Sequence, residues 1–242
     1  MTALLAPVAV MLAALLASTL AAVAGFGGAA VMLPVLVWAF GVREAVPMLT
    51  IAQLVGNGSR AWFNRRELVP PVVGWFALGA VPTAILGGIL FATSSAPALQ
   101  RILGVFLLLT VVYRHSRFGQ KLSVRLRGFA LIGAVFGFLS ALLGSVGPLM
   151  APFFLAFGLV KAAYIGTEAL STVIMHVVKL AVYGTFALVA MRSAAIAAAI
   201  GLLMIAGSYL GKRMLDRLPE RIFPLLVEAV LVISGLQFLV FA

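Results

Sequence analysis

The chain has 242 residues, of which 64% are hydrophobic and only 10% charged, against about 25% charged residues in a soluble domain. It therefore reads as an all-α integral membrane protein whose first partner is the lipid bilayer. With no cysteine there is no disulfide framework, thiolate metal site or cysteine nucleophile, and the net charge of +11 sits in short loops between apolar runs, which speaks for membrane orientation and against nucleic acid.

Ten apolar runs follow one another. The first, 3 to 24, ends in LAAVAG, which resembles a leader cleavage site; because no Lys or Arg precedes it and residues 128 to 143 form its counterpart, it reads as a membrane segment. A glycine break, GFGG at 25 to 28, opens the second run, 29 to 41, which contains Pro34. Runs at 45 to 63, 71 to 91 and 97 to 113 complete the first half, and RHSRFGQKLSVRLRG, 114 to 128, is the longest polar stretch. After it come 128 to 143, a second break GSVG at 144 to 147, a short run 148 to 160 with Pro152, then 163 to 190, 193 to 211 and 222 to 241. A span needs about 20 residues, so the second and seventh runs are expected as short broken helices.

The order of long runs, glycine breaks and prolines recurs at an offset of about 118 residues. Residues 1–113 are expected to form a first membrane repeat, 114–127 a cytoplasmic basic linker and 128–242 a second repeat. If all ten segments change side, Arg60, Arg65, Arg66, Arg114, Arg117, Lys121, Arg125, Arg127, Lys161, Lys212, Arg213, Arg217 and Arg221 face the cytoplasm, against Arg43, Arg101 and Arg192 outside. Letting the short runs dip in and out spoils that asymmetry, so the positive-inside rule favours ten crossings. Five segments per repeat is an odd number, which makes the repeats inverted and puts both termini outside the cytoplasmic (inner) membrane. Inverted repeats with broken helices are a transporter architecture, with substrate bound near the midplane where the repeats meet.

Two polar stripes mark that meeting place. At 100° per residue, Thr50, Gln53, Asn57, Arg60 and Asn64 share one face of the third segment, and Glu168, Thr172, His176, Lys179 and Tyr183 share one face of the eighth. Such groups in a bilayer line a pathway or bond between helices; a buried lysine is a costly bond of the second kind. Asn57 and His176 fall near the midplane, Lys179 toward the outer side and Arg60 toward the cytoplasm, an arrangement suited to an anion. The two glycine breaks add free helix N-termini. The expected substrate-binding residues are thus Gly25, Gly27, Gly28, Gln53, Asn57, Arg60, Gly144, Ser145, Gly147, Thr172, His176 and Lys179, with no catalytic residue, cofactor or metal. An arriving anion would offset the repulsion from Lys179 and draw a coupling proton onto His176. Glu168 and Glu228, at similar depth near the cytoplasmic side, could carry protons but are expected instead to pair with Lys212, Arg213 or Arg217, and Trp38, Trp62 and Trp75 are expected to sit at the interfaces. A hydrolase built on Ser145 and His176 is the rival from another class, but GSVG is not the G-x-S-G order of intramembrane serine proteases.

These features resemble one family. AGFGGAAVMLPVLVWAFGV (24 to 42), LLGSVGPLMAPFFLAFGLVKA (142 to 162) and GTEALSTVIMHVVKLAVYG (166 to 184) are similar to the repeated motifs of the sulfite exporter TauE/SafE family of membrane permeases. That resemblance implies transport of a small anion such as sulfite, a sulfonate or a related organic acid, with a coupling proton or ion and a homodimer as further expectations. The alternative within transporters is an exporter of another small metabolite, such as a carboxylate; a cationic or neutral cargo would be favoured by a buried carboxylate at the midplane, and the sequence places none there.

Overall fold

Apolar runs in a bilayer must satisfy their own backbone, and in the computed structural model they do so as helices. The structure describes residues 28–115, 123–144 and 146–214, with scattered positions in 11–19 and 232–240. The first segment, half of the linker (116–122), the tenth segment with Glu228, and Gly25, Gly27 and Ser145 therefore lie wholly or largely outside the described residues. Eight helices are described: α1 (Gly28–Phe40), α2 (Val42–Phe63), α3 (Pro70–Thr93), α4 (Ala96–His115), α5 (Gly128–Leu143), α6 (Gly147–Ala156), α7 (Lys161–Thr185) and α8 (Met191–Met214).

Their ends follow from local chemistry. α3 opens on Pro70, whose missing N–H costs nothing in a first turn. Gly41 (φ 75°) joins α1 to α2 as a one-residue hinge, and Gly144 (φ 86°) ends α5, a conformation open to glycine because it has no Cβ. The short runs are short helices, with 13 residues in α1 and 10 in α6, about 20 and 15 Å long against a hydrocarbon core of about 30 Å. Three described helices are long and apolar enough to cross a membrane: α3, α7 and the stretch Met191–Gly211 of α8. The 22-residue α2 has the length, but its polar stripe lowers its hydropathy.

The polar residues are on the inside. Thr50, Gln53, Asn57, Arg60, Asn64, Glu168, His176 and Lys179 are all buried, while Leu78, Leu86, Leu131 and Leu202 are exposed. That inversion of the soluble pattern belongs to a protein solvated by lipid. Trp38 and Trp62 are exposed and Trp75 is half-buried, and the Arg65 guanidinium lies 4.5 Å from the Trp62 ring centroid.

α2 packs against α1, α7 and α8; α3 packs against α5 and α7. Contact between α3 and α5 is backbone to backbone. A Cβ added at Gly133 would strike the Phe76 carbonyl, one at Gly137 the Ala80 backbone, and one at Gly79 the Ala130 carbonyl. Small residues allow this approach, and in lipid, where helices gain little by burying apolar surface, close packing holds them together. One apolar cluster is built mainly from α1, α2, α4 and α8, with Phe91, Leu142, Leu143 and Tyr183 from the ends of α3, α5 and α7, and a second joins α3, α5, α6 and α7. The two polar stripes are on α2 and α7, which pack against each other.

Candidate functional site

The stripe on α2 and the stripe on α7 face each other because each is the less apolar face of its helix, and pairing them removes both from lipid. Asn57 Nδ2 and His176 Nε2 are 3.1 Å apart. The side-chain oxygen of Asn57, Oδ1, accepts from the Arg60 guanidinium, one turn along α2, and Arg60 Nη2 lies 3.6 Å from Glu168 Oε2. Glu168 was expected to pair with Lys212, Arg213 or Arg217, whose side chains lie outside the described residues; among the described residues its ion pair is with Arg60, because packing of α2 on α7 brings both side chains into the same buried seam. Thr172 Oγ1 is 2.9 Å from the Glu168 carbonyl oxygen and 3.2 Å from its Oε1, so this expected substrate contact is engaged with Glu168.

His176 and Lys179 part company. Three residues apart, they share a stripe, yet His176 turns toward α2 and Lys179 toward the end of α5. Lys179 Nζ donates to Ser140 Oγ and to the Gly144 carbonyl oxygen, both at 3.2 Å. Its side chain is 0% exposed, and among the described residues no carboxylate lies within ion-pair distance. The ammonium thus sits at the carbonyl end of α5, where the helix dipole favours a cation, and beside the break that leads into α6. Tyr183, one turn further on, donates to the Ala141 carbonyl oxygen of the same helix end.

Among the described residues four buried side-chain polar atoms have no hydrogen-bond partner: Gln53 Nε2, Tyr164 OH, Glu168 Oε2 and His176 Nδ1. Such atoms cost free energy unless something else satisfies them, and all four belong to the α2 and α7 seam. Gln53 and His176 were expected here. Tyr164 was missed, although it extends the α7 stripe by one turn and could have been read from it. Ser140 was missed because nothing periodic marks it. Gly28 and Gly147 begin α1 and α6, and Gly144 contributes its carbonyl; Gly25, Gly27 and Ser145 receive no placement. Among the described residues no cluster of His, Asp and Glu could hold a metal ion.

The seam therefore offers two buried cations, one paired and one held by neutral acceptors, with unsatisfied donors close at hand. Positive charge and free donors are the chemistry an anion requires, and the carboxylate of Glu168 is already beside one of the two cations. Among protein families, residues 10–238 match the model described as Sulfite exporter TauE/SafE. No curated protein and no solved structure matches the chain.

Proposed function

The chain belongs to the sulfite exporter TauE/SafE family, and from that premise we propose that it is a secondary transporter carrying a small anion, sulfite, a sulfonate or a related sulfur-containing organic acid, through the α2 and α7 seam. One observation carries the reading. Lys179 is fully buried and its bonded partners are a hydroxyl and a carbonyl. A charge taken out of water without a counter-charge is expensive, and a substrate anion would supply what the protein leaves out.

The inverted repeat gives this seam its place. Helix starts at 28 and 42 have counterparts at 147 and 161, each 119 residues on. Asn57 and His176, which touch, are also 119 apart. Two equivalent residues in contact must lie on the axis that relates the repeats, and in an inverted repeat that axis runs in the membrane plane at mid-depth. Packing supports the same exchange: α2 with α8 mirrors α7 with α3. Arg60 and Lys179 are then equivalent cations on either side of the midplane, one for each direction of approach.

Purified protein should gain several degrees in melting temperature with saturating sulfite or sulfoacetate and little with choline, because a ligand at 100 times its dissociation constant stabilises by about 2.7 kcal/mol. A response to short carboxylates alone would move the substrate class to carboxylic acids. No response to any anion would remove the reading altogether.

Topology has its own test. With no native cysteine, single cysteines can be labelled from one side of intact cells. Residues near both termini should react with an impermeant maleimide, and position 119 in the linker should not. Labelling at 119 from outside would overturn the inverted arrangement.

A further inference from the structure

The two equivalent cations are not equally paired. Arg60 has Glu168 at 3.6 Å, whereas the residue 119 positions before Glu168 is Leu49, a fully buried leucine, so Lys179 has no corresponding carboxylate. One half of the seam thus contains an internal anion at the place where a substrate anion would pair with its cation.

We propose that Glu168 is the proton carrier of the transporter: a carboxylate that occupies Arg60 when the seam is empty and takes up a proton when the substrate anion displaces it. This rests on the anion reading of the seam. Several observations support it. Glu168 Oε2 has no hydrogen-bond partner, and its approach to Arg60 is longer than a hydrogen bond, so Arg60 holds this oxygen by charge alone, while Oε1 accepts from Thr172 on the same helix. Among the described residues the groups that favour its ionised form are Arg60 on α2 and the Thr172 hydroxyl, 3.2 Å from Oε1. α3, α5 and α6, which pack on α7, contain no charged residue. Arg65, Arg66 and Glu67 in the loop before α3 are exposed. On α7 itself the remaining titratable groups are Lys161, Tyr164, His176, Lys179 and Tyr183; Lys179 is bound at the end of α5 and His176 Nε2 faces Asn57.

The exchange balances. The Arg60 to carboxylate ion pair breaks, an Arg60 to sulfonate pair forms, and one proton passes from water to Glu168, because a buried carboxylate stripped of its counter-charge is neutralised rather than left ionised. Charge around Arg60 is unchanged. On release the proton leaves and Glu168 returns to Arg60, so anion and proton move together.

The experiment is calorimetric titration of the purified protein with sulfoacetate, at pH 6 to 8, in pairs of buffers with different ionisation heats, which counts protons taken up per anion bound. Wild type should take up close to one proton, with affinity strengthening toward tenfold per pH unit as pH falls. Glu168→Gln should bind with no proton uptake and a flat pH profile; His176→Gln should keep the uptake. Binding by wild type without proton uptake, uptake retained in Glu168→Gln, or uptake lost in His176→Gln each overturns the proposal. Should Glu168→Gln fail to fold, the wild-type and His176→Gln titrations still decide. Absence of any anion binding by wild type would instead remove the anion reading, and this inference with it.

Discussion

Lys179→Gln is expected to weaken sulfonate binding by at least about 100-fold while leaving the melting temperature unchanged or higher. Opposite unit charges about 4 Å apart attract by about 4 kcal/mol at an effective dielectric constant of about 20, and about two thirds of that already corresponds to 100-fold. The structural consequence runs the other way. Glutamine can still donate to Ser140 Oγ or the Gly144 carbonyl, the two groups that hold Lys179, and it removes a buried charge whose desolvation opposes folding. Lys121→Gln, in the linker, should leave affinity within about twofold, since a charge facing bulk water is screened. A drop in melting temperature with affinity retained in Lys179→Gln would make the lysine a tie between α5 and α7 and nothing more. Equal losses at the two positions would leave the seam without a special role.

Gly133→Leu is expected to abolish recovery of folded protein. The atom in the way of a side chain at this position is the carbonyl oxygen of Phe76, with the Ala80 nitrogen close behind, and a helix backbone cannot swing aside as a side chain does. Overpacking a well-packed core costs about 1–3 kcal/mol, and here the whole of α5 must move away from α3. Gly74, also in α3, has nothing within 4 Å of the space a Cβ would fill, so Gly74→Ala should be tolerated or slightly stabilising, as alanine is the better helix former. Size-exclusion profiles in detergent distinguish the two. A monodisperse Gly133→Leu peak at the wild-type position and yield would refute the close contact of α3 and α5.

Much of the site was legible because it is periodic. Gln53, Asn57 and Arg60 on α2, and Thr172, His176 and Lys179 on α7, repeat every three or four residues among apolar neighbours, which declares a single face in any context. Tyr164 obeys the same period and could have been included. Ser140 could not, since a lone serine in an apolar helix gives no sign of which neighbour it meets. Glu168 was legible as part of the stripe but not as the partner of Arg60: charge alone allowed Lys212, Arg213 or Arg217 equally well.

Hydropathy and spacing by themselves determined the membrane class, the positions of the eight described helices, the short elements after the glycine breaks and the face on which each stripe lies. These are local properties, fixed within about two turns by backbone geometry and the cost of exposing polar groups to lipid. Partnership was decided only in the tertiary structure. Asn57 meets His176 at a separation of 119 residues, and Lys179 meets Ser140 at 39 and Gly144 at 35. Periodicity sets the direction of a side chain from its own helix axis but not which helix stands there. Backbone contact through Gly79, Gly133 and Gly137, and the packing of α7 on α2, α3 and α5, supplied that choice, leaving Arg60 with a carboxylate and Lys179 with two neutral oxygens.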